Sequence, residues 1–152
     1  MNIPYYEAIN LISEHDFCDF AEYGENRTEK DWIKKAEDKL GFSLPNSYKW
    51  WLEHYGGGDL YRQEIFSIYE EDFETAVGND IVYQHLNRDI HESYPKEYLQ
   101  ILQGSDEDFF FFTSEEKDGE YPVYRFDYMN NGYEFYAPSF VHFLIKRINE
   151  WA

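Results

Sequence analysis

The chain of 152 residues carries a single cysteine, Cys18. It can therefore form no internal disulfide and no multi-thiolate metal site. Basic residues are scarce too: Lys and Arg total 13 against 31 Asp and Glu, for a formal net charge of −18. That imbalance argues against direct binding to nucleic-acid phosphates or to an anionic membrane, because like charge raises the cost of approach. No apolar run nears the ~20 residues of a membrane span, and Met1 to Glu7 lacks the basic stretch and apolar core of a secretory signal. The reading is a soluble cytoplasmic protein. Internal repeats and low-complexity linkers are also missing, and the length suits one domain over residues 1–152.

Catalytic signatures are equally sparse. The histidines, His15, His54, His85, His91 and His142, include no His-x-x-x-His pair, so sequence assigns no metal ligand. There is no Gly-x-Ser-x-Gly elbow for a hydrolase nucleophile. Gly56-Gly57-Gly58 lacks a following Lys-Ser or Lys-Thr and is followed by Asp59, which repels phosphate. Glu70-Glu71-Asp72 and Asp106-Glu107-Asp108 offer oxygen ligands but fit no EF-hand loop. No catalytic residue, metal or cofactor is assigned. Two carboxyls suffice for acid–base catalysis, so among 31 candidates a hydrolase site assembled in space stays open.

What the chain has in quantity is aromatic side chains: 15 Tyr, 13 Phe and 4 Trp. Disordered acidic chains lack these, so the domain folds around a substantial core. The N-terminal third reads as helical, with Tyr5, Ile9 and Ile12 on one face after Pro4 and with Cys18 placed as a small buried residue on an amphipathic helix. Thr28 and Asp31 resemble a capping box for a helix carrying Trp32, Ile33, Ala36 and Leu40, which Gly41 closes. Pro45 opens another helix, with Tyr48, Trp51, Leu52 and Tyr55 on one face, and Gly56 to Gly58 stop it. Leu60 to Tyr69 reads as a strand and Asp80 to Glu92 as a helix with Val82, Leu86 and Ile90 four apart.

A strand meander follows over Tyr98 to Gln103, Phe109 to Thr113, Pro122 to Tyr128 and Tyr133 to Tyr136, joined by turns containing Asp-Gly and Asn-Gly. Alternation puts two of Phe109 to Phe112 on each face, which predicts a strand covered on both sides; the alternative is an aromatic patch open to a partner. Ser139 caps a last helix with Phe140, Phe143, Leu144, Ile148 and Trp151 on one face. The fold class is α+β: a single domain with a mainly antiparallel, mixed sheet flanked by N-terminal helices and a C-terminal helix.

Certain of these residues also form a pattern. Trp32-Ile33, Leu40-Gly41 and Leu44-Pro45-x-x-Tyr48-x-x-Trp51-Leu52 running into Gly56-Gly57 resemble the signature of the SUKH superfamily, whose namesake is a yeast cell-wall-synthesis regulator. Phe126-Asp127 and Ser139-Phe140-x-x-Phe143-Leu144 extend the likeness, which covers about residues 28 to 148. The chain departs from the pattern at Tyr55, where relatives often carry Asn. The resemblance implies an α+β fold in which Trp32, Leu44, Pro45, Tyr48, Leu52, Gly56 and Gly57 are structural. It further implies an immunity protein without enzymatic activity, which binds and neutralises a cognate polymorphic toxin, frequently a nuclease. The alternative it offers is a regulatory scaffold of the yeast type.

Physical chemistry gives the toxin reading independent sense. A nuclease needs a basic cleft to grip nucleic acid, and a partner with net charge −18 offers the complementary field. Steering alone holds no complex; desolvated aromatic anchors do. The contact residues expected from charge and loop position are Tyr55, Asp59, Tyr61, Glu70, Glu71, Asp72, Asp106, Glu107 and Asp108.

Overall fold

A computed structural model describes residues 1–152 and has five helices and seven short strands in a single α+β domain. Helix α1 (Tyr5–Glu14) follows Pro4 and buries Ala8 and Ile12. Cys18 is not helical. The chain extends at His15, and Cys18 begins strand β1 (Cys18–Phe20), where it is buried opposite Leu60 of a neighbouring strand. Pairing with a distant strand overrides the local helical spacing there.

Helix α2 (Lys30–Leu40) buries Ile33 and Ala36 and ends at Gly41, which adopts φ +87° and donates its N–H to the Glu37 carbonyl. The expected capping box is absent. Glu29 holds the cap position with no side-chain bond, while Thr28 is buried and its backbone N–H donates to the Leu52 carbonyl at 2.8 Å. Thr28 thus ties α2 to its neighbour instead of starting the helix.

Helix α3 (Asn46–His54) follows Pro45 and turns Tyr48, Trp51 and Leu52 inward, all fully buried. Its N-terminus is capped from far along the chain. The buried Glu120 carboxylate accepts the Ser47 N–H at 3.0 Å and the Ser47 hydroxyl at 2.7 Å, where the positive end of the helix dipole favours a negative group. Burial raises the Glu120 pKa, and the Ser47 hydrogen bonds and Lys49 oppose that rise. On the inner face the Tyr48 hydroxyl donates to the Phe66 carbonyl at 2.6 Å.

The segment predicted as one strand from Leu60 to Tyr69 is a hairpin, β2 (Gly58–Leu60) and β3 (Gln63–Ile65), turning at Tyr61–Arg62. With β1 it makes a three-stranded antiparallel sheet in the order β1-β2-β3. Gly58 lies opposite Phe20, and a Cβ there would fall 2.7 Å from the Asp19 carbonyl oxygen. Any larger residue would push β1 away. Helix α4 (Ile81–Leu86) is shorter than the Asp80 to Glu92 prediction. Asp80 caps it by accepting the Tyr83 N–H at 2.8 Å, but beyond Leu86 a single apolar row finds nothing to pack on, and Ile90 is exposed.

The predicted meander is a four-stranded antiparallel sheet, β4 (Tyr98–Gln103), β5 (Glu107–Phe112), β6 (Val123–Asp127) and β7 (Gly132–Ala137), in that order. The Phe66 N–H to Ile101 carbonyl bond, 2.7 Å, links the two sheets. Phe109 and Phe111 face the main core, meeting Phe143 and Tyr48 respectively. Phe110 faces outward into a smaller cluster with Tyr98 and Phe126, which Tyr94, Phe112 and Tyr124 cover. Both faces of the strand are therefore covered, as alternation predicts. Helix α5 (Phe140–Trp151), capped by Ser139 Oγ accepting the His142 N–H at 3.2 Å, seals the inner face with Phe140, Phe143, Leu144 and Ile148.

This seating of α3 predicts that Tyr48→Phe, which keeps the ring but strands the Phe66 carbonyl in the core, lowers unfolding free energy by about 1–2 kcal/mol. Urea denaturation with an unchanged m-value checks it.

Candidate recognition surface

Three acidic side chains stand in line across the three-stranded sheet. The register sets Asp19 of β1 opposite Asp59 of β2, and Asp59 opposite Glu64 of β3. Directly opposed residues on adjacent strands have Cβ atoms about 5 Å apart, and like charges so placed repel. None of the chain's ion pairs includes any of the three. The Asp59 pKa is raised, first by its burial and then by Glu64 and Asp19. Glu64 accepts hydrogen bonds from Tyr69 Oη and from Asn79 Nδ2, the latter at 3.2 Å, so neutral donors alone hold it in place.

The hairpin beside this ladder is strained. Tyr61 and Arg62 have φ of +49° and +69°, values for which Asn-Gly is the favoured pair. Each non-glycine residue held there costs on the order of 1 kcal/mol. The surroundings hold the turn: the Tyr61 N–H donates to the Phe17 carbonyl at 2.8 Å, and its ring packs edge-on to Phe17 and 5.1 Å from Trp151. Tyr61 nonetheless remains 58% exposed. Asp16, Phe17, Asp19, Asp59, Tyr61 and Arg62 together line a cleft of about 500 Å³.

The residues named from sequence separate into groups. Asp59 and Tyr61 come together at this cleft. Glu70, Glu71 and Asp72 are exposed on a turn after β3, where Glu70 has φ +58° and Asp72 accepts the Glu74 N–H. Asp106 is exposed at the β4–β5 turn. Tyr55 is only 2% exposed, packed against Phe20, Tyr23 and Trp50, and offers no surface to a partner. Glu107 lies in β5 instead of a turn and is engaged by Arg125 Nε at 2.9 Å and by Arg147 at 3.4 Å. Asp108 is buried, accepting hydrogen bonds from Tyr94 and Tyr128. Strand alternation turns these two acids to opposite faces, where each finds an internal donor.

Sequence reasoning missed Asp16, Phe17, Asp19 and Glu64 as members of the cleft and its ladder. Their only local signal is the short alternating pattern around Cys18-Asp19-Phe20 and Gly58-Asp59-Leu60, which becomes legible once the register is known. No three His, Cys, Asp or Glu side chains converge in a way that could hold a metal ion, and no helix is long and apolar enough to cross a membrane.

The family model for SMI1-KNR4 cell-wall proteins, SUKH_6, matches residues 30–144. The chain belongs to the SUKH superfamily. The matched span of this SUKH domain begins at α2 and runs into α5. It contains Asp59, Tyr61 and Glu64, whereas Asp16, Phe17, Asp19 and Trp151 lie outside it. The acidic surface is thus assembled from the SUKH core and from the segments on either side of it.

The ladder carries a stability prediction. Asp59→Asn removes the central like charge and raises unfolding free energy at neutral pH by about 0.5 kcal/mol. Because the Asp59 pKa is raised in the folded state, wild-type stability is lost as pH rises through that pKa. The gain from the substitution is therefore full at pH 7 and vanishes below the ordinary aspartate range near 3.8. Paired urea titrations across pH check it.

Proposed function

We propose that this SUKH domain is an immunity protein: a binding protein, without turnover of its own, that neutralises a cognate toxin by occupying the toxin's basic nucleic-acid cleft. The observation that carries the reading is the acidic ladder, which forms no ion pair although Arg62 lines the same cleft, beside an exposed tyrosine on a strained turn. A set of opposed carboxylates lowers stability in the free protein and gains favourable partners only when cationic groups arrive. Many bacterial SUKH proteins act as toxin-specific inhibitors, and a nuclease supplies the cationic surface that such a ladder fits. The −18 net charge accelerates encounter, and Tyr61 provides an aromatic anchor that slows dissociation. Segments outside the family core contribute Asp16, Phe17 and Asp19, so partner choice can vary while the SUKH core is kept.

Co-expression with a candidate toxin domain, sought among neighbouring genes, tests this directly. Wild-type protein restores growth, and Tyr61→Ala combined with Asp59→Lys abolishes protection while the purified variant stays folded. Failure of the wild-type chain to protect, with no complex formed at low salt, overturns the reading. A hydrolase reading draws on the same cleft, since Asp19 and Asp59 are opposed carboxylates in different environments. It requires turnover that Asp59→Asn removes, and protection by Asp59→Asn protein without turnover excludes it.

A further inference from the structure

On the outer face of the four-stranded sheet a second cleft, of about 490 Å³, is lined by Tyr94, Tyr98, Phe126 and Tyr128 around Asp108. None of its lining residues borders the acidic cleft. The Asp108 side chain sits in a residue only 7% exposed. One of its oxygens accepts the Tyr94 hydroxyl and the other the Tyr128 hydroxyl. No ion pair includes it, although its neighbour Glu107 has two arginine partners. A buried carboxylate without a cation is costly, and each oxygen has a second acceptor site beyond its tyrosine. Aromatic rings packed on one another surround it: Tyr94 lies 4.4 Å from Phe126 and 4.9 Å from Tyr98, centroid to centroid. Aromatic walls around a desolvated anion are the arrangement that recognises organic cations.

The chain already places one such cation at this wall. The guanidinium of Arg88, on the loop after α4, stands 6.0 Å over the Tyr98 ring, tethered through a hydrogen bond to the His85 carbonyl and unpaired with Asp108. The wall therefore accepts a guanidinium, while the floor of the cleft is left without one.

We infer that this cleft is a cation-binding site for a guanidinium or alkylammonium group, held by Asp108 beside the rings of Tyr94, Tyr98 and Tyr128 that line it. The group comes either as a free small molecule or as an arginine or lysine side chain presented by a protein. This site does not depend on the toxin reading, because its ligand is defined by the cage alone.

Titration of the full chain with methylguanidinium, followed by NMR at constant ionic strength, tests it. The ring resonances of Tyr94, Tyr98 and Tyr128 shift saturably with a midpoint on the order of millimolar, and neutral N-methylurea leaves them unmoved. Asp108→Asn weakens the midpoint at least tenfold, and so does Tyr128→Leu, a substitution at a residue 40% exposed that tests the cage even if the Asp108 variant fails to fold. Arg88→Ala, which removes the resident competitor, tightens binding. An acetyl-Gly-Arg-Gly-amide peptide that binds tenfold tighter than methylguanidinium assigns the cage to a protein-borne side chain, and equal binding assigns it to a free cation. Absence of saturable shifts up to about 50 mM, equal shifts with N-methylurea, or an unchanged midpoint in folded Asp108→Asn and Tyr128→Leu proteins would overturn the inference.

Discussion

Everything in this domain is placed by the way α3 is held at its start and along its inner face. Glu120, brought up at the start of the β6 region, caps the helix through Ser47, and Tyr48 reaches the Phe66 carbonyl just after β3. The same helix touches both sheets. The Tyr48 ring meets Phe111 of β5, and Trp51 meets Phe20 of β1 and Phe140 of α5. The two sheets share few direct backbone bonds, so α3 with its aromatic residues fixes their relation. Its glycine exit then delivers Gly58 close against β1, which sets the register that lines up Asp19, Asp59 and Glu64.

The core and the rim of the protein therefore obey different rules. In the core every large aromatic residue is packed, and the buried polar groups discussed above, Glu120, Thr28 and Ser139, have hydrogen-bond partners. Arg147, 5% exposed, is paired with Glu107 and Glu150 and lies 4.2 Å over Trp151. At the rim the ladder keeps like charges opposed, and Tyr61–Arg62 holds a conformation suited to Asn-Gly. A domain stable by about 5–15 kcal/mol tolerates such costs only where the rest of the fold supports them. In this reading the rim exchanges stability for recognition, and the net negative charge becomes local: the acids opposed without cations matter, while Glu107 serves the fold.

Much of the fold was legible in the sequence because its signals are local. Tyr48, Trp51 and Leu52 at helical spacing, the Ser139 cap and the Asn-Gly turn of the meander each depend on a few adjacent residues. The failures are non-local. Three-residue β1 exists only because β2 lies beside it, and Thr28 is drawn from its capping role by Leu52. Tyr61–Arg62 carries no turn signature, so the hairpin read as one strand. For the site, Asp59 and Tyr61 were legible as an acid and an aromatic near a turn. Tyr55 misled because its burial depends on Phe20 and Tyr23, which a helical-wheel argument cannot see. The run Phe109 to Phe112 fixed the alternation that puts Asp108 on the outer face with Phe110, yet nothing local reveals that Tyr94 and Tyr128 close over it.

If Asp19 and Asp59 are kept opposed to attract a cationic protein surface, as proposed, their charge acts on the encounter rate. The association rate of the chain with the proposed toxin partner, measured as a function of salt for wild type and for Asp19→Asn/Asp59→Asn, tests this. The rate should fall steeply with salt in the wild type and be several-fold slower with a flatter salt dependence in the variant, the two converging at high salt. Identical rates and slopes for the two proteins would contradict it.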